Sequence, residues 1–309
     1  MVRWDLTLKA IESVRRQTIA ISEILLVIDH NRALFDRFRA HAPDLLVIEN
    51  EQQKGLSGGR NTGILRSTGE IVGFLDDDAE ANEDWAELMV AHFAQPNVIG
   101  VGSKVDPAWI GVPPAWFPDE FLWVIGCSHR GLPETTGPVR NFSGGSMMMR
   151  RQVFERAGDF SHRLGRTESK LPMGGEETEL CIRAKQVMPG SVIIFESKAS
   201  IAHHVSTDRM TWRYLVLRCY AEGLSKAALS NMVGYDSLSA ERRQTVVVLP
   251  RGVLRGIADT VLRFDIAGIL RAAAIVLGFS SAAVGFLVGR LTSKKSDVAR
   301  AIHEVSAGR

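Results

Sequence analysis

The chain has 309 residues, with 45% apolar and 23% charged residues, a composition that excludes a disordered polypeptide and suits one large or two ordinary folded units. Its 37 basic and 35 acidic residues leave a net charge of +2, which excludes a polybasic nucleic-acid binder. Three cysteines, Cys127, Cys181 and Cys219, exclude a disulfide framework and a compact zinc pattern, and fit reduced thiols in a cytosolic setting.

Met1 to Gln17 is charged and lacks the apolar stretch of a secretory signal. Trp4, Leu8 and Ile11 share one helical face. Glu23 to Asp29 is a continuous apolar run, read as a buried parallel strand. A helix over Arg32 to Ala40 and a strand over Leu45 to Ile48 follow. The glycine-rich stretch Gly55 to Gly63 reads as a turn leading to a helix over Asn61 to Arg66. Glu70 to Leu75 is a third strand, Glu83 to Phe93 a helix, and Val98 to Val101 a fourth strand. This alternation predicts a parallel sheet covered on both faces. From Asp106 to Arg140 the pattern gives way to an irregular stretch rich in Pro and Trp, and regular elements resume after Arg150. A helix over Glu176 to Lys185, a strand over Ser191 to Glu196 and a long helix over Arg209 to Leu229 complete the first part. Ala272 to Gly289 then carries no charge over 18 positions, but ten of them are Ala, Gly or Ser. An interfacial helix, a true span and a soluble helix all remain open for it. Arg251, Arg255, Arg263 and Arg271 punctuate the approach and would suit anionic lipid headgroups or a lipid-linked phosphate.

Four features point to chemistry. Asp76, Asp77 and Asp78 follow a buried strand directly. Three adjacent carboxylates repel, and a divalent cation with oxygen ligands would offset that; a solvated acidic turn is the alternative. Glycines at Gly55, Gly58, Gly59 and Gly63 would let a ligand approach the backbone, or merely form a flexible turn. Glu176 and Glu177 open a helix, where they serve either the helix dipole or proton abstraction from an acceptor hydroxyl. His203 and His204 end an apolar strand, so at most one faces a site.

In this order, Gln17-Thr18, Glu23 to Asp29, Gly55-x-Ser57-x-x-Arg60-Asn61-x-Gly63, Phe74 to Asp78, Gly175 to Leu180 and Ile201-Ala202-His203 resemble the family 2 glycosyltransferases over residues 3 to 230. More narrowly, Trp116 to Cys127, Val139-Arg140-Asn141 and Arg218 to Lys226 are similar to archaeal-type enzymes that add glucuronate to a glucosyl-dolichyl phosphate. The resemblance implies an α/β fold of GT-A type, Rossmann-like with a mostly parallel central sheet. That glycosyltransferase domain would occupy 1–230, and a helical, membrane-associated extension 231–309. It implies inverting transfer of a sugar from a nucleotide-sugar, UDP-linked, to a lipid-linked or polysaccharide acceptor at the cytoplasmic face of a membrane. Mg2+ or Mn2+ would be held by Asp76, Asp78 and His203. The donor would lie against Asp29, Gly55, Ser57, Arg60, Asn61, Asp76 and Asp77. Glu177 would be the base, with Glu176 as rival, because glutamate stands where the family has aspartate. Trp116, Trp123, Arg140 and Asn141 would meet the acceptor, though the aromatic residues equally suit a lipid interface or a satellite hydrophobic cluster. The family also opens on an apolar strand ending near Pro-x-Tyr-Asn. Met1 to Trp4 already lies in the first helix, which suggests a misassigned start. A non-catalytic scaffold and a nucleotidyltransferase are the rival readings.

Overall fold

A computed structural model describes residues 2–165, 171–234 and 243–307. Helix α1 (Val2–Arg15) leads to β1 (Leu25–Ile28), α2 (Arg32–His41) and β2 (Leu46–Glu49). Asn31 caps α2 by accepting from the Leu34 N–H at 3.1 Å. β1 and β2 pair in parallel, Leu25 to Leu46 through Ile28 to Glu49. Trp4 stacks on Phe38 at 4.1 Å, and Ile28, Phe35, Phe38 and Val47 close a small core of their own.

The glycine-rich stretch is helical from its second residue, in α3 (Leu56–Arg66), rather than a loose turn. The reason is close packing: a Cβ on Gly58 would overlap the Gln53 carbonyl. After α3 come β3 (Ile71–Leu75), β4 (Ala79–Ala81), α4 (Trp85–Val90) and β5 (Val98–Trp109). A 3-10 turn over Asp119–Ile125 and β6 (Gly137–Val139) follow. β7 (Ser146–Arg150), α5 (Arg151–Ala157), α6 (Glu176–Val187), β8 (Val192–Val205) and α7 (Trp212–Val233) complete this part.

The second sheet has the order β3-β7-β5-β8-β4, with β6 also on β8. The expected mostly parallel sheet is mixed. β3, β5 and β8 run one way, while β7 is antiparallel to both β3 and β5. Sequence reading passes over β7 because its three methionines favour helix more than strand and alternate with nothing polar. Burial on both faces explains that run: Met147, Met148 and Met149 are all buried. β1 and β2 form no pairing with this sheet among the described residues.

Helices α8 (Leu249–Arg263) and α9 (Ile266–Ala307) close the chain. These helices pack on the rest of the chain. Leu249, Ala274 and Ile275 share one core with Trp85, Phe121 and Leu215. Glycines permit this approach: a Cβ on Gly223 of α7 would overlap the Ala282 carbonyl of α9. The stretch Ile266–Thr292 is long and apolar enough to cross a membrane, with a mean hydropathy of 2.0, yet 33% of its most apolar window is buried. Its outer face leaves Val276, Phe279, Val284 and Leu287 exposed.

Candidate active site

The C-terminal ends of β3 and β8 and the N-terminus of α6 bring the predicted chemistry together. Antiparallel pairing of β4 with β8 sets Ala79 opposite His203, which places Asp78 beside the imidazole. His203 Nε2 lies 3.3 Å from Asp78 Oδ1, and its Nδ1 lies 3.6 Å from Cys127 Sγ. Gly126 sits against the ring in a left-handed conformation that admits glycine readily. Arg209, from the turn after β8, reaches 3.7 Å from Asp78 and 3.4 Å from His203. Burial pushes the Asp78 carboxyl up, but the His203 hydrogen bond and the charges of His203 and Arg209 outweigh it and hold the group at about 2.

Asp76 diverges from this pair. Its carboxylate turns to Arg60 at 3.7 Å, drawn by a buried cation. Asp77 points elsewhere again, accepting two hydrogen bonds from Arg3 at 2.7 and 2.8 Å. Among the described residues no three His, Cys, Asp or Glu side chains form one metal-sized cluster. Asp78 and His203 still offer an oxygen and a nitrogen donor side by side, which fits manganese or magnesium. Such an ion commonly binds through one or two carboxylates and takes its remaining ligands from substrate phosphates and water.

Arg60 is the hub between α3 and α6. It pairs with Glu176 at 2.9 Å, donates to the Gly144 carbonyl at 2.8 Å and faces the Phe160 ring. One Glu176 oxygen accepts from Arg60, and the other is buried with no hydrogen-bond partner among the described residues. Arg60→Ala would strip this carboxylate of its countercharge. We expect a loss of ~3–5 kcal/mol of stability, read as a lower thermal midpoint. Arg60→Met with Glu176→Leu should recover most of it.

Glu177, one residue on, is half-buried and has no side-chain partner among the described residues. Burial, then the neighbouring Glu176 charge, push its carboxyl up to about 8, against the pull of Arg60. Asn141 donates to Thr178 in the same first turn at 3.1 Å, and Arg140 donates to Asn141 at 2.7 Å. Trp123 reaches the region through Arg218, whose guanidinium lies 5.4 Å from its ring centre. Trp116 stacks instead on Trp212 at 4.2 Å and belongs with the packed aromatic cluster.

The other expected donor contacts divide in two. Asp29 keeps an exposed carboxylate, anchored by Asn50 at 2.7 Å and by the Gly55 N–H at 3.0 Å. Ser57 and Asn61 are turned inward. Ser57 donates to the Ser161 carbonyl at 3.0 Å, and Asn61 clamps the Phe160 backbone at 2.9 and 3.0 Å. Both tie α3 to the segment after α5, which is structural work. Arg209 and Arg218 are the polar residues that sequence reading left without a role. Arg218 sits in a quoted motif, but Arg209 carries no local signal beyond lying six residues past His203.

Residues 2–158 match the family model described as glycosyl transferase family 2. The chain is 29% identical over 298 residues to a glucosyl-dolichyl phosphate glucuronosyltransferase of Haloferax volcanii, covering 94% of each. Among solved structures it resembles the mannosyltransferase PcManGT from Pyrobaculum calidifontis in complex with GDP-Man and Mn2+. The TM-score is 0.61 at 17% identity, over 92% of this chain and 83% of that one. It also resembles GalNAc-T7 with UDP, GalNAc and Mn2+, with a TM-score of 0.50 at 16% identity, over 78% and 52%. These two likenesses establish the GT-A-type α/β fold.

Proposed function

Since this chain belongs to glycosyl transferase family 2 and is a glycosyltransferase, we propose that it moves a sugar from a nucleotide-sugar to a lipid-linked acceptor, with inversion at the anomeric carbon. The observation that carries the reading is Arg60, which joins the acidic strand end, through Asp76 at 3.7 Å, to the head of α6, through Glu176 at 2.9 Å, and so brings Asp78 with His203 and Glu177 into one region. The relative that matches along the whole chain carries a glucosyl-dolichyl phosphate acceptor in its name, and both structural neighbours are manganese complexes.

Asp78 and His203 would hold a divalent metal, which when bound neutralises the diphosphate of the donor. Asp78 suits this because it stays ionised at neutral pH. Arg209 adds a fixed positive charge beside them, where the leaving diphosphate gains negative charge. Asp29, exposed at the end of β1, would meet the nucleoside. Glu177 takes the proton of the acceptor hydroxyl as that oxygen bonds to the anomeric carbon and the sugar–phosphate bond breaks. The products are the glycosylated acceptor, a nucleoside diphosphate and a protonated Glu177. Glu176 is the weaker base, because its carboxylate is already bound to Arg60.

The exposed apolar face of α9 would rest on a membrane at its cytoplasmic side and keep the lipid-linked acceptor within reach. Titration of UDP, UDP-glucose and UDP-glucuronate into the full chain by calorimetry, with and without manganese, tests the donor half. Manganese-dependent binding of a nucleotide-sugar is expected. Release of pyrophosphate instead of a nucleoside diphosphate during turnover would favour nucleotidyl transfer.

A further inference from the structure

Helix α7 carries a charged ridge that the transfer reaction as described leaves unused. Arg218, Glu222, Ser225 and Lys226 recur at a spacing that puts them on one helical face. Arg218 donates to Glu222 at 2.8 Å, and Lys226 lies 3.4 Å from the other Glu222 oxygen. Ser225 accepts from the Gly174 N–H at 3.2 Å, so the ridge is docked on the turn that starts α6. Gly174 leaves room for the guanidinium: a Cβ there would lie 2.9 Å from Arg218 Nη2.

Two details separate this ridge from a buried structural pair. Arg218 keeps 13% of its side chain exposed and Glu222 19%, so neither is sealed from solvent. A guanidinium has five N–H donors. Among the described residues, Arg218 hydrogen-bonds only to Glu222, and its guanidinium lies between the Trp123 ring, 5.4 Å from the ring centre, and Gly174 at the head of α6. Removing a cation from water without satisfying its donors is unfavourable, so this arrangement suits a ligand with several acceptor oxygens. Bidentate pairing with phosphate is what a planar guanidinium does best.

The opposite face of α7 is apolar. Tyr220, Gly223 and Ala227 pack on α9 through Gly285 and Gly289. The charged ridge therefore faces away from α9, whose own outer face, on the far side from α7, exposes Val284 and Leu287.

We propose that Arg218 is the recognition group for an oxyanion of the acceptor, the phosphate that links the acceptor sugar to its lipid. This rests on the reading of the protein as a transferase to a lipid-linked acceptor. Glu222 and Trp123 are positioning residues that hold the guanidinium at the head of α6.

The full chain, Arg218→Gln, Arg218→Lys and the double variant Arg218→Gln with Glu222→Gln are compared. The double variant avoids stranding Glu222 if the single one folds poorly. Two acceptors bear the same sugar: a short-chain glucosyl isoprenyl phosphate and neutral octyl glucoside. The ratio of kcat/KM for the charged over the neutral acceptor is expected to fall about 10- to 100-fold in the two glutamine variants, through KM. Arg218→Lys should restore part of it. An equal loss on both acceptors would reduce Arg218 to a structural role. Loss of affinity for UDP-glucuronate but not UDP-glucose would assign the oxyanion to the donor instead. Decyl phosphate binding, measured by calorimetry, needs no turnover. Equal binding by wild type and Arg218→Gln overturns the assignment whatever the transfer assay gives. Binding lost in the variant, with no sugar transfer by wild type to either acceptor, keeps the oxyanion site and overturns the reading of the acceptor as a lipid-linked sugar.

Discussion

Glu177→Gln is expected to slow sugar transfer by about 100- to 10,000-fold, the range for loss of a general base, while donor affinity stays unchanged. The amide keeps the shape of the side chain and cannot take the proton. The pH dependence supplies a second test. Burial, reinforced by the Glu176 charge, raises the Glu177 carboxyl to about 8. Only the ionised form is a base, so kcat/KM should climb as pH rises toward that value and level above it. The variant should lose this limb. Stability moves the other way. A carboxyl raised above its ordinary value contributes most when protonated, and that contribution fades as pH rises through the folded value. Survival of transfer at a near-native rate in Glu177→Gln would move the role to Glu176.

Asp78→Asn should abolish manganese-dependent donor binding, with at least about a 100-fold loss of affinity, the scale expected when a metal site loses an anionic ligand. The carboxylate is nearly buried, so the asparagine fits the space, and the change is one of charge. His203 and Arg209 would then face each other without the anion between them. The depressed carboxyl also predicts an acid effect. Its contribution to stability is present above about 4, the ordinary value, and is lost as pH falls toward about 2. Calorimetry with and without manganese checks the binding, and acid denaturation checks the stability. Unchanged donor affinity in Asp78→Asn would remove Asp78 from the metal site.

Both sites were legible as residue types and only partly as geometry. The Asp76-Asp77-Asp78 run marks an anion-rich strand end, because adjacent carboxylates are costly without a partner. It does not reveal that the three side chains diverge, to Arg60, to Arg3 and to His203. Those partners lie 16, 74 and 125 residues away, distances that no local pattern carries. Ser57 and Asn61 show the converse. They stand in a recognisable motif, yet their polar groups are satisfied by the backbone of Phe160 and Ser161. β7 was missed because a both-faces-buried strand has no alternation to betray it.

The sequence by itself determined the order of strands and helices in the first hundred residues apart from the short β4, the family, and the candidate carboxylates and histidine. Each of these rests on local signals: apolar runs, glycine spacing and charge beside a strand end. Tertiary structure alone decided which of the two acids is paired. Glu176 and Glu177 are neighbours of the same type at the head of α6, and only packing against α3 commits one of them to Arg60 and leaves the other half-buried without that partner. It likewise decided that the apolar C-terminal helix is half of a packed pair with α7, because a small-residue face looks the same in sequence whether lipid or another helix covers it.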